Sequence, residues 1–182
     1  MKQFCFFVLI VFFFSGCGSV SAPKNELNQP SLEPVSFHQE IYKNIRFGYS
    51  FAIPEGMVVY TLTHEQTAAP AKEDSETIFL VDGETNFFTM RGIEDSTESA
   101  HQWLSDHVSF FYPTGEAGQR VGELAGQQAF FLSGDGTVIS PARLIVVQFE
   151  QNMIVITYEK EIEAFDSLLE SFTFIPTEGY LD

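Results

Sequence analysis

Apolar residues run unbroken from Phe4 to Phe14, behind the short basic start Met1-Lys2-Gln3 and ahead of Ser15, Gly16 and Cys17. A basic start, an apolar stretch and small residues before a cut have the form of a signal peptide. The run falls well short of the roughly 20 residues that a membrane-spanning helix needs. From Gly18 to about Gln39 the chain turns to Ser, Pro, Asn, Gln and Glu, with no helical or strand period, which predicts a flexible tether.

Periodic patterning starts at Ile41. Ile45 and Phe47 alternate with Asn44 and Arg46, Gly48 breaks the run, and Phe51 and Ile53 continue it to the Pro54–Gly56 turn, so residues 41–53 read as two strands. Met57 to Thr63 alternates again, with Val58, Tyr60 and Leu62 on one face, and a polar loop is expected from His64 to Ser75. Strands over Thr77–Val81 and Asn86–Ile93 flank an Asp82-Gly83 step, a strong hairpin signal. Asp95 and Glu98 have capping-box spacing ahead of Ala100, Trp103, Leu104, His107 and Val108, which recur at helical intervals. Glycines at 115, 118, 122 and 126 punctuate a weak strand, and Gln128–Leu132 is a stronger one. Ala142–Glu150 and Met153–Glu159 are apolar on both alternations, as central strands covered on both faces would be. Ile162, Phe165, Leu168, Leu169 and Phe172 predict a second amphipathic helix before a last strand at Phe172–Ile175. The fold class expected is α+β, a largely antiparallel twisted sheet with two main helices packed on it.

A chain of 182 residues suits one domain with its own core. Both cysteines, Cys5 and Cys17, lie ahead of that domain, so disulfides cannot hold it together and thiol chemistry within it is excluded. The formal charge is −16; cleavage before Cys17 removes Lys2 and leaves 8 basic against 25 acidic side chains, or −17. Such a surface repels phosphates, so nucleic acid and anionic headgroups are poor partners, whereas cationic partners or divalent ions are less disfavoured.

Phe14, Ser15, Gly16 and Cys17 resemble the lipobox of bacterial lipoproteins, with Phe14 where leucine is usual. The resemblance implies a signal peptide over 1–16, acylation of Cys17 with palmitate-like chains, and a tether over 17–40. It also implies an extracytoplasmic domain held to the cell envelope by lipid. Gly18 after the cysteine resembles the default for outer-membrane sorting in a diderm; in a monoderm the site would be the outer face of the cell membrane. The alternative is an ordinary secretory cut near Ala22 that discards Cys17.

Tyr42, Asn44, Phe47, Gly48, Tyr49, Phe51, Ile53 and Pro54 resemble the opening signature of PsbP-like and Mog1-like domains. Ile154–Tyr158, then Phe165, Leu169, Ser171, Phe172 and Phe174, resemble their closing strand, helix and Ser-Phe-x-Phe. The resemblance implies an α/β/α sandwich over 41–176, with a tail at 177–182. Members include a photosystem assembly subunit and a Ran-binding import factor, which implies a binding or assembly module; no photosystem role carries over, because no matching ligand residues can be placed on this chain.

Candidate chemistry is sparse. No Gly-x-Ser-x-Gly is present, and Ser133 sits in a Gly-Asp-Gly turn. His101 and His107, six apart, fall on different faces of one helix, and His38 and His64 lie in tether and loop. The acids at 73, 74, 76, 82 and 84 lack EF-hand spacing. Neither a catalytic residue nor a metal or other cofactor is therefore assigned. Phe110, Phe111 and Tyr112 beside Pro113 form an aromatic cluster that is either core or a contact for a partner or ligand. The leading expectation is a non-catalytic, membrane-attached module with an envelope protein partner. The alternatives are an envelope hydrolase or metal-dependent enzyme using His101 or His107 with Asp106, and a carrier of a small apolar ligand in a phenylalanine-lined cavity.

Overall fold

The computed structural model describes residues 34–36, 40–62, 76–82, 86–115, 117–136 and 140–176. The signal segment, Cys17, His38, the loop from His64 to Ser75, Glu84 and the tail at 177–182 lie outside the described residues.

Two antiparallel sheets form the body. The larger is eight-stranded, in the order β1 (Pro34–Ser36), β4 (Met57–Leu62), β5 (Glu76–Asp82), β6 (Asn86–Ile93), β10 (Asn152–Tyr158), β9 (Arg143–Phe149), β8 (Gln127–Ser133), β7 (Gly118–Leu124). The smaller runs β11 (Thr173–Phe174), β3 (Tyr49–Ala52), β2 (Ile41–Asn44). Helix α1 (Ala100–Phe111) and helix α2 (Glu163–Ser171) complete the α+β architecture.

Each face of the large sheet carries its own core. Ile145, Val147, Ile154 and Ile156 turn towards α2 and the small sheet, where Phe47, Phe51, Phe165 and Leu168 meet them. Leu144, Val146, Met153 and Val155 turn the other way, onto Trp103 and Leu104 of α1. This is why β9 and β10 carry apolar residues at consecutive positions: both alternations are buried.

The first signature motif is a turn specification. Asn44, itself buried, accepts a hydrogen bond at Oδ1 from the Phe47 N–H (3.0 Å) and donates one from Nδ2 to the Tyr49 hydroxyl (3.3 Å). Gly48 donates its N–H to the Asn44 carbonyl (3.0 Å) and takes φ +73°, a conformation that costs glycine little. The Phe47 ring then drops onto Gly92 of β6. The closing motif is equally local: Ser171 Oγ donates to the Leu168 carbonyl (2.7 Å) and accepts from the Ala52 N–H (3.0 Å), tying the end of α2 to β3. Phe172 stacks on Tyr49 (5.5 Å) and Phe174 on Phe149 (4.5 Å).

Three details depart from the sequence reading. The segment 17–40, expected to be a tether, contains β1, which pairs through Pro34↔Tyr60 and Ser36↔Val59. A second, three-stranded sheet supplies cover that helices alone were expected to give. Helix α1 begins at Ala100 rather than behind Asp95: Ser99 is the N-cap, accepting from the Gln102 N–H (3.2 Å), while Asp95 sits in the preceding turn with φ +49°. Ser99-x-x-Gln102 has the spacing credited to Asp95 and Glu98, and the chain first leaves the sheet through the Ser96 N–H to Gln151 carbonyl bond (2.8 Å). Strand β4 alternates as expected, with Met57 and Val59 on the inward face and Val58 and Tyr60 half-buried.

Candidate functional site

Helix α1 disperses its polar groups. His101 is exposed at the first turn and its ring lies 5.6 Å from that of Phe130. His107 stacks on Trp103 (4.3 Å) and bonds through Nδ1 to the Trp103 carbonyl (2.8 Å). Asp106 accepts from Gln102 Nε2 (2.9 Å). The two histidines and Asp106 are thus engaged separately, and among the described residues no group of three or more His, Cys, Asp or Glu could hold a metal ion.

The aromatic cluster closes the helix, with Phe110 and Phe111 in its last turn and Tyr112 as its C-cap, and it is split. Phe110 is 75% exposed and stands edge-on to the half-buried Phe111 (5.2 Å), which joins the core under α1. Tyr112 is 2% exposed, and its hydroxyl has no hydrogen-bond partner among the described residues. It packs against Gly134, where any Cβ would collide with its ring. Of the three residues, Phe110 alone presents itself to solvent for contact.

Burial raises the Tyr112 phenol from 10.0 to about 12, with Arg143 pulling the other way and Asp135 adding to the rise. Burial raises Tyr158 as well. The folded chain therefore keeps the Tyr112 proton in a window where the unfolded chain has released it. Stability is full below pH 10 and falls as the pH climbs through about 12. Tyr112→Phe is expected to blunt that alkaline loss, and to change neutral-pH stability by no more than about 1 kcal/mol, in the stabilising direction, because it removes an unsatisfied buried hydroxyl. Urea melts at about pH 8 and about pH 11 check both.

Two open grooves flank the sheet. The first, about 350 Å³, lies at the start of α1 and is lined by Ser99, His101, Phe130 and the amides of Gln127, Gln128 and Gln148. Ser99 serves there as the helix cap, and among the described residues no hydrogen bond joins it to His101. The second, about 510 Å³, lies between α2 and the β7–β8 pair. Leu124, Phe131, Leu169 and Phe172 give it an apolar floor, Asp166 and Glu170 of α2 line it with carboxylates, and Glu123 borders it on β7. Its one cation, Arg120, lies over the Phe131 ring at 4.0 Å and has no carboxylate partner among the described residues. Ion pairs elsewhere join Arg46 to Glu94, whose hydrogen bond from Arg46 holds the Glu94 carboxyl below its usual value, and Arg143 to Glu161.

Sequence reasoning missed this second groove. Glu123 sits on β7 whereas Asp166 and Glu170 sit on α2, so no local spacing connects them. The available signal was the weak apolar content of the β7 segment, which marks an edge strand.

No family model matches the chain, and no curated protein matches it. A solved structure that it resembles is the solution structure of cyanobacterial PsbP (CyanoP) from Synechocystis sp. PCC 6803. That structure is 14% identical, covers 80% of this chain and 99% of its own, and superposes with a TM-score of 0.50. The likeness shows the fold: two helices packed on antiparallel sheets in a PsbP-like arrangement.

Proposed function

We propose that this chain is a lipid-anchored protein of the cell envelope, fixed through Cys17, whose extracytoplasmic domain is a non-catalytic binding or assembly module. The address rests on Phe14-Ser15-Gly16-Cys17 behind the apolar run. Several acyl chains on one cysteine, each methylene contributing about 0.8 kcal/mol, make release very slow. The PsbP-like fold agrees with the resemblance of both signature motifs, which implies binding rather than turnover.

The observation that carries the binding reading is the groove beside β7. It is open, apolar at its floor and acidic in charge, and among the described residues no serine, cysteine or histidine lines it. Such a surface recognises another molecule through burial and charge. A hydrolytic role for His101 or His107 with Asp106 finds no support, because each is engaged separately on α1. Neither groove is a closed phenylalanine-lined cavity of the kind an apolar carrier would present.

Cys17→Ser is expected to move the protein from the membrane pellet to the soluble extract on fractionation, with the domain still folded. A variant that stays in the pellet would overturn the anchoring.

A further inference from the structure

The large sheet treats its two edges differently. At one edge β1 is three residues long, starts on Pro34 and slips register against β4 between Pro34 and Ser36. Short length, proline and irregular register are devices that keep an edge from pairing with another chain. At the other edge β7 has seven residues and no proline, and it keeps an unbroken register with β8 from Gly118↔Ser133 to Leu124↔Gln127. Among the described residues no strand pairs with its outer side. Gly118, Gln119, Arg120, Val121 and Glu123 are exposed, and Val121 shows 57% of its surface in the middle of the strand. A long, regular, apolar-centred edge is a template for strand addition.

The acidic groove runs alongside that edge. Arg120, Gly122 and Leu124 share the sheet face of Phe131, so alternate residues of a strand laid against β7 would hang over the groove. Gly122 helps to keep it open, since a Cβ there would lie 3.1 Å from the Phe131 ring. The floor suits the aliphatic stem of a lysine or arginine, and Asp166 and Glu170 of α2 suit its charged end. Among the described residues Arg120 is the single opposing charge, and it is drawn onto Phe131.

We propose that β7 and this groove form a docking site for an extended, basic segment of a partner protein. The segment joins the sheet as an additional strand, placing a lysine or arginine at every second position. The proposal deepens the binding-module reading and rests on it. Charge complementarity selects this occupant over a second copy of the cleaved chain, whose 8 basic against 25 acidic side chains would bring a further −17 to the same edge.

The test uses the full-length lipidated protein in detergent micelles and synthetic peptides of about ten residues, long enough to cover one strand. One peptide alternates lysine with threonine; its counterpart alternates glutamate with threonine. The lysine peptide is expected to bind and to slow amide hydrogen exchange across Gly118–Leu124, while the glutamate peptide does neither. Asp166→Lys with Glu170→Lys is expected to weaken binding by about ten-fold or more, whereas Glu55→Lys with Glu98→Lys, the same charge change at exposed sites elsewhere, does so far less. Unchanged denaturation midpoints show that both variants are folded.

The proposal is overturned by protection falling on another segment, by equal weakening in both variants, by equal binding of the glutamate peptide, or by a dimer of this chain formed through β7. Each of those results leaves the attachment at Cys17 intact. Failure of the anchoring is read instead by fractionation, which the peptides do not touch.

Discussion

Phe165→Ala is expected to destabilise the domain by about 3–5 kcal/mol, the range for deleting a large ring from a core that cannot collapse around the gap. Phe165 is fully buried on the inner face of α2, with the rings of Phe88 at 5.1 Å and Tyr158 at 5.3 Å. Those partners come from β6 and β10, so the deletion loosens the seat of α2 on the large sheet. Because domains of this kind are stable by only about 5–15 kcal/mol in total, the variant should unfold at much lower urea. Phe165→Leu, which keeps most of the volume, is expected to cost about 1.5 kcal/mol at most. A loss below about 1 kcal/mol for the alanine variant would mean that α2 is not seated as described.

Gly92→Ala should be the next most damaging substitution, although it adds a single methyl group. A Cβ at this position in β6 would lie 2.5 Å from the Phe47 ring, which is fully buried and held by the Asn44 turn. The ring cannot swing out, so the strain moves into the backbone, at about 1–3 kcal/mol or more. The sharper test is rescue. Phe47→Leu alone should destabilise by opening a gap, but it should recover at least about 1 kcal/mol of the Gly92→Ala loss when the two are combined, giving a coupled double-mutant cycle. Additive losses would show that the two residues do not meet.

The parts of the fold legible in the sequence are those in which neighbours along the chain are also neighbours in space. Tyr42 to Phe51 can be read because Asn44 reaches only to Phe47, Gly48 and Tyr49. The closing Ser171-Phe172-x-Phe174 can be read because Ser171 caps its own helix end. Strand β1 was illegible: it is three residues long, paired through its backbone within a polar, proline-rich stretch, so no side-chain alternation marks it. In β4, Met57, Val58, Val59 and Tyr60 are all apolar enough to face inward, so alternation divides the faces without saying which is buried. The helix cap was displaced because two pairs four residues apart share one spacing, and only the path of the chain out of β6 chooses Ser99 over Asp95.

The candidate site was still less legible. Phe110, Phe111 and Tyr112 form one motif in the sequence, yet they have three different exposures, because successive residues of a turn leaving a helix point in different directions. The sheet side of the groove comes from β7 and β8 and its carboxylates from α2, brought together only when α2 packs against the sheet. Distance along the chain hid the surface on which the binding reading depends.

Intact mass spectrometry of the native protein from fractionated cells tests the proposed acylation of Cys17 most directly. The predicted species lies in the membrane fraction, lacks residues 1–16 and carries a diacylglyceryl thioether on Cys17. A cytosolic chain that retains Met1 and an unmodified Cys17 thiol would contradict the account.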